Sequence, residues 1–256
     1  MVRGDKIKVL NLYAGIGGNR KLWPEQVEVT AVEIKPDVAK VYSVLFPNDK
    51  VVVGDAHEYL LKHFKEFDFV WSSPPCPTHS VTNNFLHAQG IVRYPDMKLY
   101  EEIIFLKTWF KGCFCVENVK SYYPPLISAV EIDRHYFWAN FYIPPFKIKR
   151  AFNIANARAS TRQSPEEHEH NLEKYLGINL SGISLKNKRL ALRNCVHPEI
   201  GLHIFNAGFN GRQSKLIGDK KGQSAPFYSM SKPCKGNSNT IGDLDVFKDF
   251  DTEMEK

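Results

Sequence analysis

The sequence predicts an α/β protein, a parallel sheet with helices on both faces. Three observations carry that expectation. Apolar, β-rich runs of strand length alternate with helical patterns through the first half of the chain. The runs end in glycine, proline or acidic turn residues, and the residues with chemical potential fall just after them. Strand–helix alternation at this spacing buries a parallel sheet between helices, and ligands then bind where the carboxyl ends of the strands release their loops.

Lys8–Tyr13 reads as a buried strand running into a glycine-rich turn, and Val27–Ile34 as a second strand. Pro36–Phe46 reads as a helix, with Pro at its first turn and Pro47 beyond its end. Val51–Val53 is a short strand, His57–Phe67 an amphipathic helix, and Phe67–Ser72 an apolar strand entering Pro74-Pro75. Asp96–Phe110 has helical periodicity behind an Asp cap, and Cys113–Val119 is another strand. Segment 77–95 is a polar loop with little periodicity, and loops of that length inside compact domains usually serve function. Further helices are expected near Pro165–Leu176 and Lys186–Asn194.

Composition bounds the rest. The 256 residues are 43% hydrophobic and 24% charged, an ordinary globular balance. No apolar run approaches the ~18 residues of a membrane span, and the N-terminus has no signal-peptide core, so a cytoplasmic protein is expected. Five cysteines without a C-x-x-C pair suggest neither a disulfide framework nor a zinc site. His168-x-His170 and His197…His203 lack metal-site spacing and read as solvent-exposed, so no metal is expected. Charge is uneven: residues 1–144 hold 16 basic and 16 acidic side chains, 145–235 hold 16 and 6, and 236–256 hold 2 and 6. This pattern predicts three parts: a catalytic domain over 1–145, a small basic region over 146–206 facing a polyanion, and a Gly/Ser/Lys-rich tail over 207–256. A merely solvated basic surface fits the charge equally well.

Several constellations sit at strand ends. The turn Asn11-Leu12-Tyr13-Ala14-Gly15-Ile16-Gly17-Gly18 lets backbone approach a ligand closely. Glu33 is placed for ribose hydroxyls and Asp55 for an adenine amino group. The third glycine of a dinucleotide fingerprint falls on Arg20, so the expected ligand is a nucleoside without phosphates; a tight turn beside two surface carboxylates is the plain alternative. Ser72-Ser73-Pro74-Pro75-Cys76-Pro77 presents a cysteine sulfur on a proline-stiffened backbone. To attack, that thiol must either be lowered from ~8.5 or lose its proton during the attack; a buried, inert cysteine is the alternative. Cys113 and Cys115 read as core, and Cys195 and Cys234 as structure or tail. Glu117-Asn118-Val119 ends the next strand, where burial would keep Glu117 protonated and able to donate, unless it caps a helix. Arg134, ahead of Tyr136–Trp138, is placed to anchor a base oxygen or a phosphate, or is a surface arginine.

In this order, the glycine turn, Glu33, Asp55, P-P-C and E-N-V resemble the cytosine-5 DNA methyltransferases, over roughly residues 8–143, in the style of a solitary phage or prophage enzyme. The resemblance implies a Rossmann-like S-adenosylmethionine-dependent methyltransferase sheet with a small, basic target-recognition region, acting in a bacterial or phage-infected cytoplasm. It implies that Cys76 attacks carbon 6 of a cytosine flipped from DNA, that Glu117 contacts ring nitrogen 3 and the exocyclic amine, and that carbon 5 takes a methyl group. It implies a donor pocket of Tyr13, Gly15, Gly17, Glu33, Ile34, Asp55, Ala56, Pro75 and Leu99. Of the family's Q-R-x-R motif only Arg134 is matched, Asn19 stands where an aromatic is usual, and no closing G-N-type motif is evident in 200–256. Two other readings keep the fold: action on tRNA or transfer of a larger alkyl group, and DNA binding without turnover.

Overall fold

The computed structural model describes residues 6–149, 154 and 162–216, with side chains to Phe209. Seven strands form one sheet: β1 (Lys8–Leu12), β2 (Glu28–Glu33), β3 (Lys50–Val53), β4 (Phe69–Ser72), β5 (Cys113–Val119), β6 (Val130–Ile132) and β7 (His135–Ala139). Their order is β3-β2-β1-β4-β5-β7-β6. The first five are parallel, and β7 pairs antiparallel with both β5 and β6. Among the described residues the α-helices are α1 (Pro36–Leu45), α2 (Ala56–His63), α3 (Asn83–Ala88), α4 (Lys98–Trp109), α5 (Pro165–Leu176), α6 (Lys188–Arg193) and α7 (Pro198–Leu216).

The two faces of the sheet follow from the two-residue period of its strands. On one face Val9, Val29, Phe69, Trp71 and Cys115 pack against Ile200, Ile204 and Phe205 of α7. On the other, Leu10, Leu12, Val32, Val70, Phe114 and Val116 pack against α2 and α4 through Leu60, Leu99, Ile103 and Leu106. β4 is buried at every position, which is why it reads as an unbroken apolar run rather than an alternating one. α1 lies on the α7 side: Tyr42 meets Ala31, while Val41 packs with Leu172, Leu176 and Leu192 of α5 and α6.

Local chemistry sets the helix ends. Pro36 opens α1 with a preset φ. Asp55 caps α2 and Ser164 caps α5 through side-chain oxygens that accept N–H groups three residues on. Gly177 ends α5 in the left-handed conformation.

The structure departs from the sequence expectations at four places. Segment 77–95 contains a short helix, α3. The run Tyr136–Trp138 belongs to a β6–β7 hairpin whose turn residue Asp133 takes φ 57°. The boundary expected at 206/207 falls inside α7, which continues to Leu216; Cys234 and the rest of the 207–256 tail lie outside the described residues. The histidines are not solvent-exposed as a group. His168 is fully buried with Nε2 on the Ile154 carbonyl, and His197 and His203 bond the carbonyls of Tyr175 and Pro144.

Candidate active site

The glycine turn follows β1, at the carboxyl end of the sheet. Tyr13, Gly15 and Gly17 take φ of 55°, 56° and 81°, a region where only glycine is unstrained. A Cβ on Gly17 would lie 2.2 Å from the Phe46 ring, and one on Gly18 2.5 Å from the Cys195 Cβ, so the back of the turn is packed solid. A Cβ on Gly15 would meet nothing within 4 Å. The turn is therefore closed behind and open in front.

Glu33, at the end of β2, is buried and accepts from the Gly15 N–H at 3.0 Å and the Lys35 N–H at 2.9 Å. Ile34, next along, is 61% exposed, an apolar side chain held out at a strand end. Asp55 caps α2 at the end of β3 and is itself exposed. Ala56 and Leu99 sit in the core beneath, among Leu12 and Val32, and Pro75 is exposed beside Cys76. An exposed apolar side chain, two acceptor carboxyls and an open glycine fit a nucleoside-bearing donor.

Cys76 follows β4 on the Pro74-Pro75 backbone. Its carbonyl accepts from the N–H groups of His79 and Ser80, and Asn118 at the end of β5 donates to the Pro74 carbonyl at 2.9 Å. The following loop is tied to the chain after β5, with the Val81 N–H on the Lys120 carbonyl and the Tyr122 N–H on the His79 carbonyl. Adjacent parallel strands, with Ser72 level with Val116, put Cys76 and Glu117 at one edge. Burial and the charge of Glu117 push the Cys76 thiol up, and Arg134 draws it back in part. In the free protein, burial therefore favours the protonated thiol at neutral pH.

Glu117 is buried, and that burial raises its carboxyl to about 7, against a hydrogen bond from Ser73 and the charge of Arg134. His135 Nε2 lies 3.6 Å away. Arg134 sits in the β6–β7 hairpin, and one of its nitrogens donates to the carbonyls of Arg193 at 2.6 Å and Cys195 at 3.2 Å. Its charge is felt by Cys76, Glu117 and Arg193.

Two features escaped the sequence reading. Glu102, buried in α4, accepts from the Tyr13 hydroxyl, the Ser72 hydroxyl and His57 Nδ1. Its signal was a carboxyl inside the apolar stripe Leu99, Ile103, Leu106. The second is segment Asn194–Gly201, which backs the glycine turn: Cys195 fills the space beside Gly18, Gly201 abuts the Asn19 backbone, and Trp23 Nε1 donates to the Gly201 carbonyl at 3.1 Å. The backing segment begins upstream of 200–256 and overlaps it at Ile200 and Gly201. Asn19, the departure from the usual aromatic, is buried and donates to Asn11 Oδ1 of β1 at 2.8 Å.

Five parallel strands and an antiparallel hairpin in this order, with a glycine turn and acidic residues at the ends of β2 and β3, form a Rossmann-like α/β sheet whose candidate site lies at the carboxyl ends of its strands. Residues 7–123 match the family of C-5 cytosine-specific DNA methylases. That match spans somewhat under half of the chain, which over those residues is similar to the C-5 cytosine-specific DNA methylases. In fold it is similar to the methyltransferase EhMeth of Entamoeba histolytica, at 11% identity and TM-score 0.48 over 82% of this chain and 99% of that one. It is also similar to the SAM-dependent methyltransferase of Agrobacterium tumefaciens, at 15% identity and TM-score 0.33 over 45% of this chain and 39% of that one. No curated protein matches the sequence. Among the described residues no helix is long and apolar enough to cross a membrane.

Proposed function

We propose that this protein is an S-adenosylmethionine-dependent DNA (cytosine-5-)-methyltransferase that works through a covalent adduct of Cys76 with carbon 6 of a cytosine flipped out of DNA. The observation that carries the reading is the pairing of a raised Cys76 thiol with a raised, buried Glu117 carboxyl on neighbouring strand ends. Glu117, half-protonated near neutrality, donates to ring nitrogen 3 and accepts from the exocyclic amine, so negative charge pushed into the ring by sulfur is met where it develops. The Cys76 proton passes to solvent water as the sulfur–carbon bond forms, and the addition breaks the ring's aromaticity and makes carbon 5 an enamine carbon. Bound S-adenosylmethionine supplies the electrophilic methyl group that this carbon accepts. Loss of the carbon 5 proton then returns electrons that expel the Cys76 thiolate.

Tyr13, Gly15, Gly17, Glu33, Ile34, Asp55, Ala56, Pro75 and Leu99 form the donor pocket, with Glu33 taking the ribose hydroxyls, Asp55 the adenine amine and Ile34 an adenine face. Arg134, held by the carbonyls of Arg193 and Cys195, fixes the target base or its phosphate. The loop after Cys76 closes on the DNA, and the basic region 146–206 faces the phosphate backbone.

The test incubates the protein with tritiated donor and cytosine-containing DNA or RNA, alongside Cys76→Ala, and then with DNA bearing 5-fluorocytosine. Label in DNA with wild type alone and a trapped adduct mapping to Cys76 are expected. Equal labelling by Cys76→Ala, or labelling of RNA alone, would overturn the reading.

A further inference from the structure

Outside the residues proposed to meet the base, a buried polar cluster lies under the glycine turn. Glu102 projects from the second turn of α4 into the core and is 1% exposed. One of its oxygens accepts from the Tyr13 hydroxyl at 3.0 Å and from His57 Nδ1 at 3.3 Å, and the other from the Ser72 hydroxyl. These three donors belong to three different strand ends. Tyr13 follows β1, Ser72 is the last residue of β4, and His57 stands two residues after Asp55 at the end of β3. The glycine turn, the Cys76 segment and the Asp55 corner therefore share a single buried carboxyl group.

Burial at such a point is costly for a carboxyl unless its lone pairs are filled, and here three donors fill them. The arrangement also explains why a tyrosine tolerates φ 55° at position 13: its hydroxyl is anchored at the far end. A helix held only by apolar contacts would leave the three turns free to drift against one another, and an ångström of drift is enough to spoil a positioned reaction.

We propose that Glu102 is the positioning residue of the donor pocket, locking the turns after β1, β3 and β4 in register and coupling donor affinity to the charge of His57. The proposal rests on the donor pocket described above. His57 faces Glu102, with Glu101 Oε1 3.8 Å from its other ring nitrogen and Asp55 contributing at longer range. Tyr13, across the shared oxygen, also feels Asp55 and Asp96. The hydrogen bond and charge of Glu102 raise His57 above its ordinary range in spite of its partial burial. The cationic form is therefore the one that completes the lock, and donor affinity is full at low pH and falls as pH rises through the raised value.

Calorimetric titration of S-adenosylmethionine into wild type, Glu102→Gln, Tyr13→Phe and His57→Gln, together with steady-state kinetics, decides the matter. Glu102→Gln is expected to weaken donor binding by about tenfold or more, raising KM for the donor while kcat at saturating donor and KM for DNA stay within about threefold. Tyr13→Phe shifts donor KM the same way by a smaller factor. His57→Gln flattens the pH dependence of donor affinity that wild type shows above pH ~6.5. A purely structural role would instead lower kcat or folded fraction without this split. If Glu102→Gln does not fold, Tyr13→Phe and His57→Gln decide alone. Donor binding within about twofold of wild type in the folded variants, with an unchanged pH profile, overturns the proposal. A wild-type protein that binds no donor overturns the pocket itself.

Discussion

The pH dependence of kcat/KM is the sharpest consequence of the Cys76–Glu117 geometry, because that ratio reports the titrations of the free enzyme. Glu117 titrates near 7 and the Cys76 thiol above its ordinary range. Addition of sulfur to the ring, with a proton available at nitrogen 3, needs the pair to hold one proton between them. The pair is doubly protonated below about 7 and empty above the thiol's raised value. The rate should be level between those limits, fall tenfold per unit on the acid side, and stand at about one-tenth of its plateau at pH 6. Glu117→Gln removes the lower titration. Its profile should rise with pH until the thiol itself ionises, moving the corner from about 7 to ~8.5 or above. The assay is initial-rate methyl transfer to DNA at sub-saturating DNA from pH 5.5 to 9.5, in buffers of constant ionic strength. His135, 3.6 Å from Glu117, is unchanged in the variant. A corner that stays at about 7 in Glu117→Gln would assign the titration to another group and refute the reasoning.

Three further outcomes follow from the same structure. Because the folded value of Glu117 lies above its ordinary one, the folded state holds the proton more tightly, and stability is full at acid pH and drains as pH rises through about 7. Glu117→Gln should therefore raise Tm at pH 8, by the equivalent of up to about 3 kcal/mol, and change it little at pH 5; a lower Tm at pH 8 would contradict this. Gly18→Ala forces a Cβ to within 2.5 Å of Cys195 and should cost about 1–3 kcal/mol in denaturant unfolding. Gly54→Ala meets nothing within 4 Å and should stay within about 0.5 kcal/mol, so equal losses would refute the packing account. On the proposed reading, the backbone of bound DNA meets Arg189 and Arg193, which are one turn apart on α6 and close enough that Arg189 and Arg134 lower Arg193 further than burial alone does. The Arg189→Ala, Arg193→Ala double variant should flatten the dependence of log affinity on log salt by about two, and an unchanged slope would remove them from the interface.

The parts of the fold that were legible in the sequence are those with a single strong period. β1, β2, β4 and β5 are apolar runs because helices cover both of their faces, and α1 and α5 announce themselves by proline, caps and a terminal glycine. The hairpin was not legible: β6 has three residues, and the feature that closes it is Asp133 in the left-handed region. α3 hides among polar residues because its six-residue length shows no period. α7 was misread for a physical reason. Gly208 falls where a loose tail was expected, yet it and Gly201 are each where a neighbour comes too close for a side chain: the Asn19 backbone within 2.2 Å of a Cβ at Gly201, and the Phe69 ring within 3.0 Å of one at Gly208. A helical glycine that admits a neighbour has the same composition as one in a loop. In the site, residues after the strands were readable as a pattern, whereas Glu102 needed the face of its helix to be known.

Glu102 and Glu117 divide along the plane of the sheet. Strand alternation sends Ser72 to the α4 side, where its hydroxyl bonds Glu102, and leaves Ser73 to bond Glu117 and Trp71 Nε1. Glu117 itself shares the parity of Cys115, which packs on the α7 side. Consecutive serines thus attach the strand that carries Cys76 to a donor-side network and to a base-side one, and Pro74-Pro75 stiffens the two residues between them and the sulfur. Such a connection needs no moving part. A displacement of either network is felt at Cys76 through fewer than five residues of backbone, so the sulfur keeps its place relative to both partners of the transfer because both are anchored through the end of β4.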